Sequence, residues 1–533
     1  MPELDDLAAS LLRLVQAVLL PPHAAPEIAP DLASAAFAAA LGRVADGFRY
    51  IDVEAPDARI PAGLGFAPGF VRAMAAGAEA LQAQRQAEIL RRFPTLPPDG
   101  LPARGLDIAY ALSARAKLVL CPFTGAWAHA ARALGYETFW HGAAGRVCLV
   151  AQYTETTQTG QDTVWLFPAE KVALYFGSRV TLPILRHFLQ ECLLGLLCAP
   201  AAVAAHLRRP APSAALALVE MSAPHFGHAL WNASSAWARL FALPGLPRPD
   251  RYVTWHESNF LPPVTELYPE EAGRPLLRLH RPAELVRVIA ETDSLALVAK
   301  DHWITEALAR RVIDHAWRHA APEALAALRA LRRTAMPLVL LGLRLGNRVW
   351  LEQEEGLANL AAALQARFGA VGFIIDGLNA GTTMGWTHEL MSLPEEMRLA
   401  GRLADRIGRH APCLVTVGRS MAESLVASAL CDVFVAPAGS GLAKYQWLAN
   451  KPGVVVSNSV ILDPGNPLGW SCRVFDGFRD GARPALRPDH RLVRDVGSAQ
   501  RPGPMHADVS LDWRALLPSV IGLAEEAIRL RRA

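Results

Sequence analysis

No Cys-x-x-Cys pair occurs in this chain, and its seven cysteines are an odd number. The two nearest, Cys192 and Cys198, fall on one expected helix, so neither a zinc site nor a disulfide framework is expected and the thiols are read as reduced and mostly buried. Long uncharged apolar runs are missing too. The strongest stretch, Leu182 to Leu207, carries Arg186, His187 and Glu191 and is broken by Pro200, so it reads as a buried helix rather than a membrane span. A basic leader is absent: Met1-Pro2-Glu3-Leu4-Asp5-Asp6 is acidic, unlike a secretory signal, and a cytoplasmic protein is expected. Charge of one sign is scarce, with a net charge of +3 and arginines scattered rather than striped, which argues against nucleic acid as a partner. Acidic metal motifs are lacking as well: Asp5-Asp6 is terminal, and no Asp-x-Asp follows a strand in the carboxy-terminal half.

What is present is apolar. Of 533 residues, 52% are hydrophobic and 19% charged, which is ample material for a core but too long a chain for a single one, so two or three domains are expected. Residues 1 to about 100 are Ala-rich and helical in pattern, ending in the proline-dense Phe93-Pro94-Thr95-Leu96-Pro97-Pro98. Strands at Lys117 to Cys121, Arg146 to Gln152 and Thr163 to Phe167 follow among helical runs, and Arg208-Arg209-Pro210-Ala211-Pro212 reads as a linker. An α/β region then begins with a strand at Ala215 to Val219, a helix near Ala229 to Phe241, and strands at Tyr252 to Thr254 and Leu295 to Ala299.

The clearest pattern starts at Met336. Short apolar strands, Leu338 to Leu341, Gly372 to Ile375 ending on Asp376, Cys413 to Val417, Asp432 to Ala436 and Val454 to Val456, alternate with helices. Leu357, Leu360, Ala361, Leu364 and Phe368 recur at three- and four-residue steps, Pro394-Glu395-Glu396 opens the next helix, and Ser420 is a candidate N-cap. Such near-continuous apolar strands imply a parallel sheet covered on both faces. The expected architecture is α/β: a mixed, helix-rich region over 1–210, Rossmann-like domains over 214–335 and 336–485, and a tail over 486–533 whose final helix, Trp513 to Arg532, folds back on the domains.

Ala438-Gly439-Ser440-Gly441 follows the fourth strand of that last series. Gly439 and Gly441 let backbone approach a ligand closely, and a helix beginning there aims unpaired amides at a diphosphate, with Lys444 adding a charge; equally, such a turn packs a helix tightly on a sheet. Arg344, in Gly342-Leu343-Arg344-Leu345-Gly346-Asn347-Arg348, stands at the end of the first strand, where its planar fork suits a phosphate; the alternative is a surface ion pair with the Glu352 to Glu355 run. Arg348 is a weaker candidate of the same kind. Asp376 is placed to accept from a ribose or sugar hydroxyl, or to cap its own loop.

The run Val435 to Tyr445 resembles the Gly-x-Gly-Leu-x-Asn loop of family 61 bacterial polysaccharide glycosyltransferases and, more loosely, the matching loop of heptosyltransferases. His225-Phe226-Gly227-His228-Ala229-Leu230-Trp231-Asn232 looks like the His-Trp segment after the first strand of family 61. The likeness spans roughly Ala214 to Val474, with Ala438 where the family has His and Lys444 where it has Asn. It implies a GT-B enzyme that moves a sugar from a nucleotide-sugar donor to a glycan, lipid-linked or protein acceptor. With no Asp-x-Asp motif, the turn, Arg344 and Lys444 are expected to neutralise the leaving diphosphate, so transfer is expected without metal or other cofactor, with membrane contact at most peripheral. Arg344, Asn347, Asp376, Gly439, Ser440, Gly441 and Lys444 would then hold the donor. His228, or else His225, would be the base that deprotonates the acceptor, with Glu220 a carboxylate alternative; both histidines also suit helix capping or packing against Trp231 or Trp237. Trp386, His388, Glu389 and Trp447 are candidates to stack on the base or touch the sugar. Two further expectations stay open: a sugar-nucleotide epimerase or hydrolase with a carboxylate, Asp376, near the anomeric carbon, and a non-catalytic module that binds nucleotide or glycan.

Overall fold

The computed structural model describes the chain apart from residues 1–41, 43–44, 57–59, 97–100, 102, 136–137, 144–145, 154–161, 168–169, 178–181, 184, 187–201, 204, 207–208, 210–213, 219–225, 256–260, 281, 381–392, 466–477, 484 and 498–502. The fold is α/β with several parallel sheets and forms two compact units, Met1–Met221 with Arg239–His256 and Gly273–Asp301, and Ser222–Ala238 with Glu257–Ala272 and His302–Ala533. Most of the Leu182 to Leu207 stretch lies outside the described residues; among those described, no helix is long and apolar enough to cross a membrane.

The first unit opens with β1 (Arg49–Asp52), the hairpin β2 (Lys117–Leu120) and β3 (Trp127–Ala130), and then β4 (Arg132–Gly135), β5 (Thr138–Ala143), β6 (Arg146–Tyr153), β7 (Asp162–Phe167) and β8 (Val172–Tyr175). A six-stranded sheet in the order β1-β8-β7-β6-β5-β4 is antiparallel except at β1–β8. Next come β9 (Ala214–Leu218), β10 (Arg251–Trp255), β11 (Leu276–Leu279) and β12 (Ser294–Val298), a parallel sheet in the order β11-β10-β9-β12. Three of these four strands match the expected ones to within a residue or two. The half-buried edge strand β11 went unforeseen, because four residues containing Arg278 give too short an apolar signal. Asp293, just before β12, accepts from His206 Nδ1 (3.0 Å) and pairs with Arg132 (3.5 Å) and Arg209 (3.4 Å). These bonds hold Arg132 and His206, before the expected linker, and Arg209, within it, against the four-stranded sheet.

In the second unit β13 (Leu338–Gly342), β14 (Gly372–Asp376), β15 (Cys413–Val415), β16 (Val433–Pro437) and β17 (Gly453–Val456) form one sheet, every pairing parallel, in the order β15-β14-β13-β16-β17. Its central strands are fully buried and its edge strand β15 half-buried, as expected of strands covered by helices on two faces. The helix Gln353–Phe368 ends at Gly369, whose φ of +73° suits a residue without Cβ. Ser420 caps Met421–Leu430 as expected, and Glu423 completes a reciprocal capping box. The terminal helix Leu517–Arg532 buries Val520 and Ala524, and its Arg531 reaches Asp432 (3.1 Å) and the Ala335 carbonyl (3.2 Å). Asp432 also pairs with Arg332 and accepts from the Leu338 amide, tying helix and sheet at the strands' amino ends.

Candidate functional site

Strand order decides where this sheet can bind anything. β13 and β16 are neighbours, and from them the chain proceeds to opposite edges of the sheet, so the loops leaving their carboxyl ends diverge over a crevice, where ligands of open α/β sheets bind. Those loops are Leu343 to Arg348 and Ala438 to Gly441. The strands approach closely: a Cβ on Gly342 would lie 2.7 Å from that of Ala436.

Ala438 donates its amide to the Val456 carbonyl (2.8 Å), after which the carbonyls of Gly439, Ser440 and Gly441 accept from the amides of Leu442, Ala443 and Lys444. The amides of Gly439, Ser440 and Gly441 themselves have no acceptor among the described residues, and all three residues are half-exposed. They form a short row of donors at the crevice. The helix that follows differs from expectation: Ala443–Leu448 is a six-residue π-helix, too short for a large aligned dipole, so the individual amides matter more than the helix axis.

Arg344 completes this donor row in a way the sequence did not show. Its Nε donates to the Asn347 carbonyl (2.7 Å) and Nη2 to the Asn347 side-chain oxygen (2.5 Å), while its backbone exchanges hydrogen bonds with Gln353 at 3.3 and 3.0 Å. The alternative, an ion pair with the Glu352 to Glu355 run, is not among its bonds to described residues. Nη1 lies against the glycine turn, so near that a Cβ on Gly439 would stand 2.3 Å from it. Burial, and then the like charge of Arg348, lower the guanidinium pKa to about 9, which marks a cation only partly compensated by Glu396 and Asp508. Arg348 has φ +54° and donates its amide to His506 O (3.3 Å).

Two expected donor ligands are turned the other way. Lys444 is buried, its Nζ 2.5 Å from Asp376 and bonded to the carbonyl of Gly377 (2.8 Å) and the side chain of Asn379 (3.3 Å). Asp376 is fully buried and accepts from Thr416 (2.6 Å), Ser424 (2.7 Å) and Tyr445 (2.6 Å) besides Lys444. Its lone pairs are therefore used inside the protein, and Lys444 neutralises it there. Lys444 lies in the π-helix directly after the turn, and its side chain reaches the carboxylate that ends β14. Neither side chain is exposed. They fasten the Gly377 to Asn379 loop to the Gly439 turn.

Glu396 was read only as a helix-opening carboxylate. Its Oε1 accepts from the Leu378 amide (2.6 Å), and a Cβ on Gly377 would stand 1.9 Å from it. Burial raises its pKa to about 7, with Asp376 adding to the rise and the Leu378 bond, Lys444 and Arg344 opposing it. A folded-state pKa above the unfolded one means the native state holds the extra proton. Stability from this group is full below about pH 4.5 and is lost as pH rises through about 7. Glu396→Gln is expected to abolish that component and to raise stability at pH 8 by up to about 3 kcal/mol, read from urea midpoints at pH 5 and pH 8. An unchanged pH slope refutes it. The hydroxyl of Ser457, one residue past β17, is buried without a partner among the described residues.

Of the remaining candidates, His225, Glu220, Trp386, His388 and Glu389 lie outside the described residues. His228 ends the short helix Phe226–His228, with its side chain likewise outside. Trp447 is buried in an aromatic cluster with Trp231 (6.0 Å) and Phe478 (5.3 Å), a core position and not a stacking platform. A scan against protein-family models finds no match, and no curated protein is detectably similar to the chain.

Proposed function

We propose that the crevice between the carboxyl ends of β13 and β16 binds the diphosphate of a nucleotide-sugar and that the protein is a glycosyltransferase of GT-B type, its parallel sheets belonging to two Rossmann-like domains. The observation that carries this is the meeting of Arg344 Nη1 with the Gly439 turn, beside three unaccepted amides, at the switch point of a parallel sheet. Such donors match the charge that builds on a departing nucleoside diphosphate. Transfer is read as metal-independent, because the strand-end carboxylate Asp376 is consumed by Lys444, Thr416, Ser424 and Tyr445, leaving amides and a guanidinium as the charge-neutralising groups. The same engagement weighs against the epimerase or hydrolase alternative that used Asp376 near the anomeric carbon. His228 and His225 stay the candidate bases for an acceptor hydroxyl of a glycan, a lipid-linked glycan or a protein. The site of action is read as cytoplasmic.

A thermal-shift screen of UDP-, GDP- and similar nucleotide-sugars, with and without EDTA, tests the proposal. One donor class is expected to stabilise the chain equally in both conditions. Gly439→Ala, whose new methyl forces the Arg344 guanidinium off the turn, is expected to lose that shift. Failure of every nucleotide-sugar to shift the wild-type protein overturns the proposal.

A further inference from the structure

The helix Glu306–His319 presents His315 and His319 one turn apart on a single face, and the segment Val264 to Glu271 of the same unit packs beside it. His315 Nε2 lies 3.0 Å from Glu266 Oε2, and one ligand atom from each of Glu266, His315 and His319 falls within 4.8 Å of the others. The two imidazoles stack at 3.8 Å with 10° between their planes.

Three further features suit these groups to an ion. His319 Nδ1 is 2.9 Å from the His315 carbonyl, which can only accept, so that nitrogen carries the hydrogen and Nε2 keeps an open lone pair. A ring nitrogen hydrogen-bonded to a backbone carbonyl is the usual outer partner of a metal-ligating histidine. The segment that carries Glu266 is held to the helix, since Arg311 lies 4.5 Å over the Tyr268 ring, donates to the Leu267 carbonyl (3.0 Å) and pairs with Glu270 (3.3 Å). Finally, His315 is buried while His319 and Glu266 are exposed, leaving one side open to solvent.

We propose that Glu266, His315 and His319 bind a divalent transition-metal ion of the zinc class through one oxygen and two nitrogens, with a fourth, water-filled position. The ion replaces the proton that His315 Nε2 shares with Glu266, releasing it to solvent, turns the two rings out of their parallel stack so that both lone pairs meet it, and clasps the Val264 to Glu271 segment to the helix. Two imidazoles and a carboxylate are a donor set that zinc and cobalt accept and that magnesium and calcium do not favour.

Chelator-treated full-length protein titrated with Co²⁺, followed by displacement with Zn²⁺ against a chromophoric chelator, tests this. One equivalent of Co²⁺ is expected to give the intense visible bands of a four-coordinate N/O site. His319→Ala and Glu266→Ala each weaken Zn²⁺ binding by at least about tenfold. Both positions are exposed, and the metal-free urea midpoints of the variants are expected to match wild type, which keeps loss of metal distinct from loss of fold. A thiolate charge-transfer band, the absence of the visible bands, or Zn²⁺ affinity unchanged in both variants overturns the proposal. Nucleotide-sugar shifts are expected to survive in His319→Ala, so this proposal and the donor reading fail separately.

Discussion

Asp376→Asn is expected to destabilise the protein by about 3–5 kcal/mol, because it leaves the Lys444 ammonium buried without its counter-ion. Lys444 and Asp376 are 4% and 0% exposed, so water cannot take over the lost partner. The hydroxyls of Thr416, Ser424 and Tyr445 all converge on the same carboxylate, and an amide that must also turn its NH₂ inward cannot accept from all of them. The Tyr445 phenol, whose pKa burial and then Asp376 raise well above the ordinary value, stays a donor throughout. The double variant Asp376→Asn/Lys444→Met removes the orphaned charge and is expected to recover most of the loss, since a buried pair stabilises little relative to an apolar replacement. Urea unfolding of both single variants and the double variant measures the coupling. A loss below about 1 kcal/mol in Asp376→Asn would show that the pair is not the internal fastening described here.

Arg344→Ala is expected to act in the opposite sense on binding and on stability. Removing a charge-assisted donor set costs about 1.5–3 kcal/mol of binding, or roughly 10- to 150-fold in nucleotide-sugar affinity. The ligand-free midpoint is expected to stay level or to rise, because the guanidinium is held where burial and Arg348 disfavour its charge. Arg344→Lys restores little, for an ammonium cannot span Asn347 and the turn at once. Isothermal titration beside thermal unfolding reads both quantities. A variant that unfolds several degrees early yet binds donor normally assigns Arg344 to structure alone and removes the strongest support for the proposed diphosphate site.

Much of this was legible in the residues. Strands such as Leu338–Gly342 and Gly372–Asp376 are continuous apolar runs, and only burial on both faces accommodates them. Ser420 announced a helix start, and Gly439-Ser440-Gly441 announced a turn where backbone comes close to something. Other features had weaker signals. Glu396 looks like any acidic residue in a first turn, and nothing local shows that its carboxyl is buried against Gly377. His315 and His319 do carry a signal, the four-residue spacing, but its third partner lies 49 residues before the first of them in the chain.

Composition and periodicity by themselves determined an α/β chain with a parallel sheet in its carboxy-terminal half and a glycine turn at a strand end, because those features depend on neighbours along the chain. Tertiary structure alone decided which charges face inward. Lys444 and Asp376 were expected at a ligand and instead neutralise each other, while Arg344 was left beside the turn with its charge only partly answered. The cause is that desolvation and pairing are set by what approaches from other strands, and a linear sequence does not contain those distances.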